Sequence, residues 1–245
     1  MMADELDELR RTVALGCRIV AAAGLTTPLL GHISLRVGPD RVLVRCRGPQ
    51  ERGLLFTTVS DVRLVSLDDE GDVGDGYRLP NEYPIHAEIL RARPDIASVL
   101  HAHPRSALLG GLAAVPIRPI FGAYDIPAFR LADGGVPVYP HAGLVRTAAA
   151  GGELARALGG SAVVLLRGHG VATVGQDVPQ VLSHLLALDE LLRISVELAQ
   201  LGAAPSAVTE QDREHLPDLG AAFNEQLLWR HHVGLLELQG LADVG

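Results

Sequence analysis

Residues 4–23, DELDELRRTVALGCRIVAAA, carry apolar side chains at helical spacing behind an acidic first turn, and Gly24 follows. The pattern predicts an amphipathic helix closed by that glycine. GHISLRV and DRVLVRC alternate apolar and polar positions around GPD, which predicts two strands joined by a turn. GLLFTTVSDVRLVSLDDEGDVGDG reads as further short strands running into an acidic, glycine-rich turn. PNEYPIHAEILRARPD predicts a helix with Asn81 as its N-cap and Pro94 near its end. IASVLHAH is apolar and β-branched enough for a buried strand, and PRSALLGGLAA suits a short helix. VVLLRGHGVATVG is two apolar β runs broken by Gly168 and Gly170, and PQVLSHLLALDELLRISVELAQLG is a long amphipathic helix ending at Gly202. No repeat and no Ser/Gly-rich linker divides the chain. The expectation is one α/β domain over residues 1–245, its helices packed on a largely antiparallel sheet, with a helical tail from about residue 205.

Composition narrows the function classes. The formal net charge of −8 argues against a general binder of nucleic acid or anionic membrane. No run has the roughly 18 apolar residues of a membrane span. The acidic start MMADELDELRR does not resemble a secretory signal, and Cys17 and Cys46 are too few for a disulfide scaffold, so the expected compartment is the cytoplasm. All 21 basic residues are Arg. Without lysine there is no Schiff base, hence no covalent pyridoxal phosphate and no Schiff-base aldolase. A nucleotide-binding P-loop is excluded for the same reason.

The candidate chemistry starts in SVLHAHPRSALL. His101 and His103 sit two apart at the end of a strand pattern, which puts both rings on one face with Cα atoms about 6.5–7 Å apart. That spacing allows two imidazoles to converge on one ion. His169, in LLRGHGVA, is flanked by glycines that give it little steric cover. A third histidine beside a His-x-His pair completes the three protein ligands of an open catalytic metal site. Glu82, at the start of a helix, either caps it or serves as fourth ligand or acid/base. His86 lies one helical turn further on and either supports Glu82 or packs.

Taken together, PNEYPIHAEILRARPDIASVLHAHP and the later LLRGHG resemble the class II aldolase/adducin family. The resemblance spans about residues 5–205. It implies a three-layer α/β/α fold around a mainly antiparallel sheet, and a homotetramer with active sites at subunit interfaces. It also implies that His101, His103 and His169 bind one divalent metal per subunit, be it zinc, manganese, iron or cobalt, with Glu82 as ligand or metal-proximal acid/base. Tyr124, in FGAYDIPAF, falls near the place where aldolases of the family use a tyrosine from a neighbouring subunit as an acid.

Departures from the sugar-phosphate members bear on the substrate. Their first loop reads Gly-Asn-x-Ser, and here it is Gly31-His32-Ile33-Ser34; their Ser-Ser-Glu becomes Pro80-Asn81-Glu82. The small donors that cradle phosphate are reduced. VRCRGPQERGLLFTT supplies Arg45, Arg47 and Arg52, a side-chain type suited to bidentate recognition of carboxylate. The sequence resembles the branch of the family that decarboxylates hydroxylated aromatic or pyridine dicarboxylates. The expected function is therefore a metal-dependent carbon–carbon lyase that decarboxylates a hydroxyaryl carboxylate, with His32 and Glu82 handling protons. Arg47, Arg52, Ser34 and Asn81 are the expected substrate contacts. The alternatives are an aldolase acting on a small non-phosphorylated hydroxy-carbonyl compound and an adducin-like interaction module.

Overall fold

The computed structural model describes residues 3–206 and 208–245. Helix α1 (Ala3–Ala22) leads into strands β1 (His32–Arg36) and β2 (Arg41–Arg45), then β3 (Val62–Ser66). Helix α2 (Tyr83–Ala92), strand β4 (Ser98–Ala102), helices α3 (Arg105–Leu112) and α4 (Ile126–Ala132) and strand β5 (Val138–Tyr139) follow. Helix α5 (Ala148–Leu158), the hairpin β6 (Val163–Leu166) and β7 (Gly170–Gly175), and the long helix α6 (Val178–Gln200) complete the body. Helices α7 (Glu210–Glu214) and α8 (Leu227–Leu238) form the tail.

The seven strands make one sheet in the order β3-β2-β1-β4-β7-β6-β5, with every pair antiparallel except β5 and β6. Because side chains alternate across a strand, each face carries its own core. Ile33, Leu43, Leu100, Leu165 and Val171 pack with α1, α3, α4 and α6 on one side. Val42, Val44, Val99, Val164 and Val174 pack with α2 and α5 on the other. The result is the expected α/β/α sandwich. Among the described residues, no helix is long and apolar enough to cross a membrane.

Two local expectations fail. GLLFTTVSD forms not strands but two 3-10 turns, Leu54–Phe56 and Val59–Asp61. Thr57 Oγ1 donates to the Leu54 carbonyl and Asp61 accepts from the backbone N–H of Thr58, so polar side chains close turns in a run whose apolar and β-branched content suits a strand. Asn81 is not the N-cap of α2; Glu82 occupies that position, and its carboxylate makes no capping bond. The acid is held elsewhere, at the open end of the sheet.

Candidate active site

The central strands β1 and β4 bring polar residues into an otherwise apolar layer. His32 pairs directly with His101 across the β1/β4 ladder, and Ser34 stands on the same face as His32 two residues on. All three are buried, so each requires a partner. Helix α2 lies over this face with Glu82 and His86 one turn apart, and the β6–β7 turn delivers His169 from the other side. Gly170 permits that approach: a Cβ there would lie 2.3 Å from the Ala102 carbonyl oxygen.

Glu82, His101, His103 and His169 converge, each with one ligand atom within 4.8 Å of those of the others. Nε2 of His103 is 3.0 Å from Nε2 of His101. Oε2 of Glu82 is 3.5 Å from His101 Nε2 and 3.4 Å from His169 Nε2. A tetrahedral ion with bonds of about 2.0–2.1 Å sets its ligand atoms roughly 3.3–3.4 Å apart, so the spacing fits one. The tautomer fits too. His101 Nδ1 is 2.9 Å from the Val171 carbonyl, which can only accept, so Nδ1 carries the hydrogen and Nε2 turns a lone pair toward the cluster. Both ring nitrogens of His169 are buried without a hydrogen-bond partner. Three imidazoles and a carboxylate gathered at one point, one ring of them without a hydrogen-bond partner, make a donor set suited to a divalent cation.

Electrostatics agree. Burial opposes ionisation of Glu82, yet its contacts with His101 and His169 outweigh burial and hold its carboxyl well below the usual range. Its second oxygen, Oε1, accepts the Val145 N–H at 2.9 Å, which locks the carboxylate in place. Burial, with the neighbouring His101 and His169 rings, pushes His103 down to about 3. Neutral imidazole is the form that ligates metal.

Beside the tetrad runs a histidine relay whose depth the sequence did not reveal. His32 Nδ1 is 2.6 Å from His86 Nε2, and His86 Nδ1 is 2.7 Å from Ser34 Oγ. Burial pushes His86 down to about 3 and, together with His86 and His101, holds His32 well below its ordinary value. His86 therefore supports His32 rather than Glu82. Among the described residues His32 Nε2 has no partner, and the ring of His32 lies 5.2 Å, centroid to centroid, from that of His101. The free nitrogen of the relay thus lies on the face that carries the tetrad.

The expected substrate contacts divide. Ser34 is fully buried under His86, which removes it from direct contact with any substrate. Arg45 is buried and spent in an ion pair with Glu51. Arg52 stacks its guanidinium over Phe56, 4.5 Å from the ring centroid. Arg47 and Asn81 do come together, in one cavity beside the start of α2. Tyr124 is 69% exposed and donates to Glu190 Oε1, so within one chain it is not joined to the tetrad.

Comparison with known proteins follows this geometry. The family model "Class II Aldolase and Adducin N-terminal domain" matches residues 11–196. A 3,4-dihydroxyphthalate decarboxylase from Arthrobacter keyseri is 49% identical over 228 residues, covering 91% of this chain and 92% of the relative. A protein of the same name from Rhodococcus jostii strain RHA1 is 44% identical, covering 94% and 96%. The crystal structure of an aldolase II superfamily protein from Pseudomonas syringae superposes with a TM-score of 0.81 at 24% identity, covering 100% of this chain and 98% of that one, and shares the fold. The chain belongs to the class II aldolase and adducin family.

Proposed function

We propose that this chain is a divalent-metal-dependent decarboxylase of a hydroxylated aromatic carboxylate, with 3,4-dihydroxyphthalate, the substrate named for its relatives, as the first compound to test. The observation that carries the site is the convergence of three imidazoles and Glu82 beside a relay-backed His32. The choice of decarboxylation over aldol cleavage rests on relatives 44–49% identical along nearly their whole length.

His101, His103 and His169 would hold the ion, with Glu82 as the fourth ligand. Bound there, a divalent cation supplies Lewis-acid stabilisation of negative charge on a ring oxygen next to the scissile carboxylate. The protein's own groups do the rest. Glu82, its Oε1 fixed by the Val145 N–H, serves as a ligand or as an acid/base beside the ion. His32, neutral by burial and open at Nε2, takes the proton of the ring hydroxyl while His86 holds its Nδ1. His32 passes that proton to the ring carbon that carries the carboxylate, and the adjacent oxygen becomes a carbonyl. The carbon–carboxylate bond then breaks, CO2 departs, its electron pair restores the aromatic ring and leaves negative charge on the oxygen, and the oxygen takes up a proton from water. Ser34, from beneath, fixes the orientation of His86.

The same reading takes the chain as a homotetramer with active sites between subunits. In its support, Leu112 and Leu144, 68% and 56% exposed, flank the segments that carry His169 and the Glu82-binding amide of Val145. Tyr124, on the surface, would then act only in a neighbour's site. The test is product analysis of the metal-loaded protein with ortho-hydroxy aromatic acids and with hydroxy-aldehydes. CO2 release from the acids is expected; aldehyde release without CO2 would refute the decarboxylase in favour of the aldolase.

A further inference from the structure

A cavity of about 950 Å³, well within the range of small-molecule sites, opens beside the first turn of α2. Arg47, Arg78 and Arg146 all line it, and among the described residues none of the three guanidiniums has an ion-pair or hydrogen-bond partner. The contrast with Arg91 in the same cavity is direct: that side chain is tied to Asp68, Glu88 and the Leu67 carbonyl.

All three of these arginines are exposed, and they gather positive charge at the cavity. Arg47 and Arg78 exchange both backbone hydrogen bonds, at 2.9 Å each way, as a directly opposed antiparallel pair. Their side chains therefore leave the ribbon on the same side, where the like charges repel, with Asp72 paired to Arg78 on its other flank. Arg146 comes from another part of the chain, immediately before the N-cap Thr147 of α5. Thr147 and Ala148 also line the cavity, so the positive end of the α5 dipole faces it. Helix α5 can reach this position because residue 151 is glycine: a Cβ there would lie 2.5 Å from the Pro84 carbonyl oxygen in the first turn of α2. Of the four acids in the lining, Asp68 and Glu88 pair with Arg91, Asp69 accepts the Ser66 N–H, and Glu70 is exposed to solvent.

The cavity also adjoins the tetrad. Asn81, in its lining, precedes Glu82, and Arg146 follows Val145, whose N–H holds the Glu82 carboxylate. We propose that Arg78 and Arg146, acting with Arg47, bind the second carboxylate of an aromatic dicarboxylate, the one retained in the product, and so set the specificity of the enzyme. This rests on the decarboxylase reading above and adds two residues and a ligand group to it.

The experiment compares wild type with Arg78→Gln, Arg146→Gln and the double variant, all metal-loaded. Each is assayed for CO2 release from 3,4-dihydroxyphthalate and from 2,3-dihydroxybenzoate, which keeps the reacting carboxylate and both hydroxyls but lacks the second carboxylate. Binding of phthalate, which has both carboxylates and no hydroxyl, is measured by calorimetry. Each single variant should raise KM for the dicarboxylate, lowering the ratio of kcat/KM between the two acids by about tenfold, and should weaken phthalate binding to a similar extent. An unchanged ratio in the double variant overturns the assignment. Should wild type release CO2 from neither acid, the decarboxylase reading fails, and the calorimetry still decides the anion site. Phthalate binding lost in the double variant upholds that site, and phthalate binding equal in all four proteins overturns it.

Discussion

His86 offers the sharpest test of the relay because it is fully buried and both of its ring nitrogens are engaged. In the folded protein burial pushes its pKa from 6.5 down to about 3, while in the unfolded chain it titrates near its ordinary value. Between those limits the unfolded state binds the proton and the folded state does not. Stability therefore rises with pH across this window, is at its full value above about pH 6.5, and falls as pH drops toward 3. The slope for one such group is about 1.4 kcal/mol per pH unit, so at pH 4.5 His86 alone costs the fold roughly 3 kcal/mol. His86→Gln removes the titration and also breaks the contacts to His32 and Ser34. Leaving those two buried groups short of a partner should cost about 1–3 kcal/mol at pH 7.5. The two effects oppose one another on acidification. The variant should be the less stable protein at pH 7.5, and the gap should close at about 1.4 kcal/mol per unit below pH 6.5, reaching equality near pH 5. The assay is equilibrium urea unfolding of chelator-treated wild type and variant at half-unit steps from pH 7.5 to 4.5. Stability curves that stay parallel over that range would falsify the buried, neutral His86 and with it the relay.

Three further outcomes follow from the site. His103→Ala should lower bound metal from about one ion per chain to a small fraction, read by plasma mass spectrometry after dialysis, and CO2 release should fall with it; full metal occupancy would contradict the tetrad. His32→Gln should keep its metal and lose about 10²–10⁴-fold in kcat, since it removes a proton carrier and leaves the ligands in place; loss of metal in that variant would instead make His32 a structural support of the ligands. Gly170→Ala should lower the melting temperature by several degrees or prevent folding, because a Cβ there lies 2.3 Å from the Ala102 carbonyl oxygen and meets the backbone of Ala102 and His103, which cannot swing aside as a side chain could; an unshifted melting curve would mean that the β4–β7 approach is looser than described.

How far these features could be read from the chain depends on the range of the signal each one leaves. His-x-His at a strand end and Gly-His-Gly after an apolar run are local patterns, and the helix carrying Glu82 has its own periodicity, so the residues of the tetrad were all visible before any coordinates. The two 3-10 turns at Leu54–Phe56 and Val59–Asp61 were not, since a short apolar run with β-branched neighbours has the composition of a strand. The capping position of α2 misled for a different reason. Asn81 is the better local cap, but Glu82 is required by His101, His169 and the Val145 amide, all distant in sequence. Tertiary demand overrode a preference worth about 1 kcal/mol.

The relay shows most clearly what a single sequence withholds. That His86 shares a helical face with Glu82 follows from a spacing of four. That its ring meets His32 follows only from the β1/β4 register, which sets His32 opposite His101, and from the placement of α2 across that pair. A one-residue slip of β1 would send Ile33 to that face and His32 to the α6 side. The register is held by Ile33 and Leu35, which fill the opposite core. The apolar half of β1 thus determines where its polar half can do chemistry. The same reasoning explains why Ser34, expected at the substrate, lies beneath His86: two residues along the strand keeps it on the correct face but carries it one step deeper. The proposed proton handling at His32 and the proposed metal binding at His101 therefore rest on one pairing, and a substitution that shifted β1 should abolish both together.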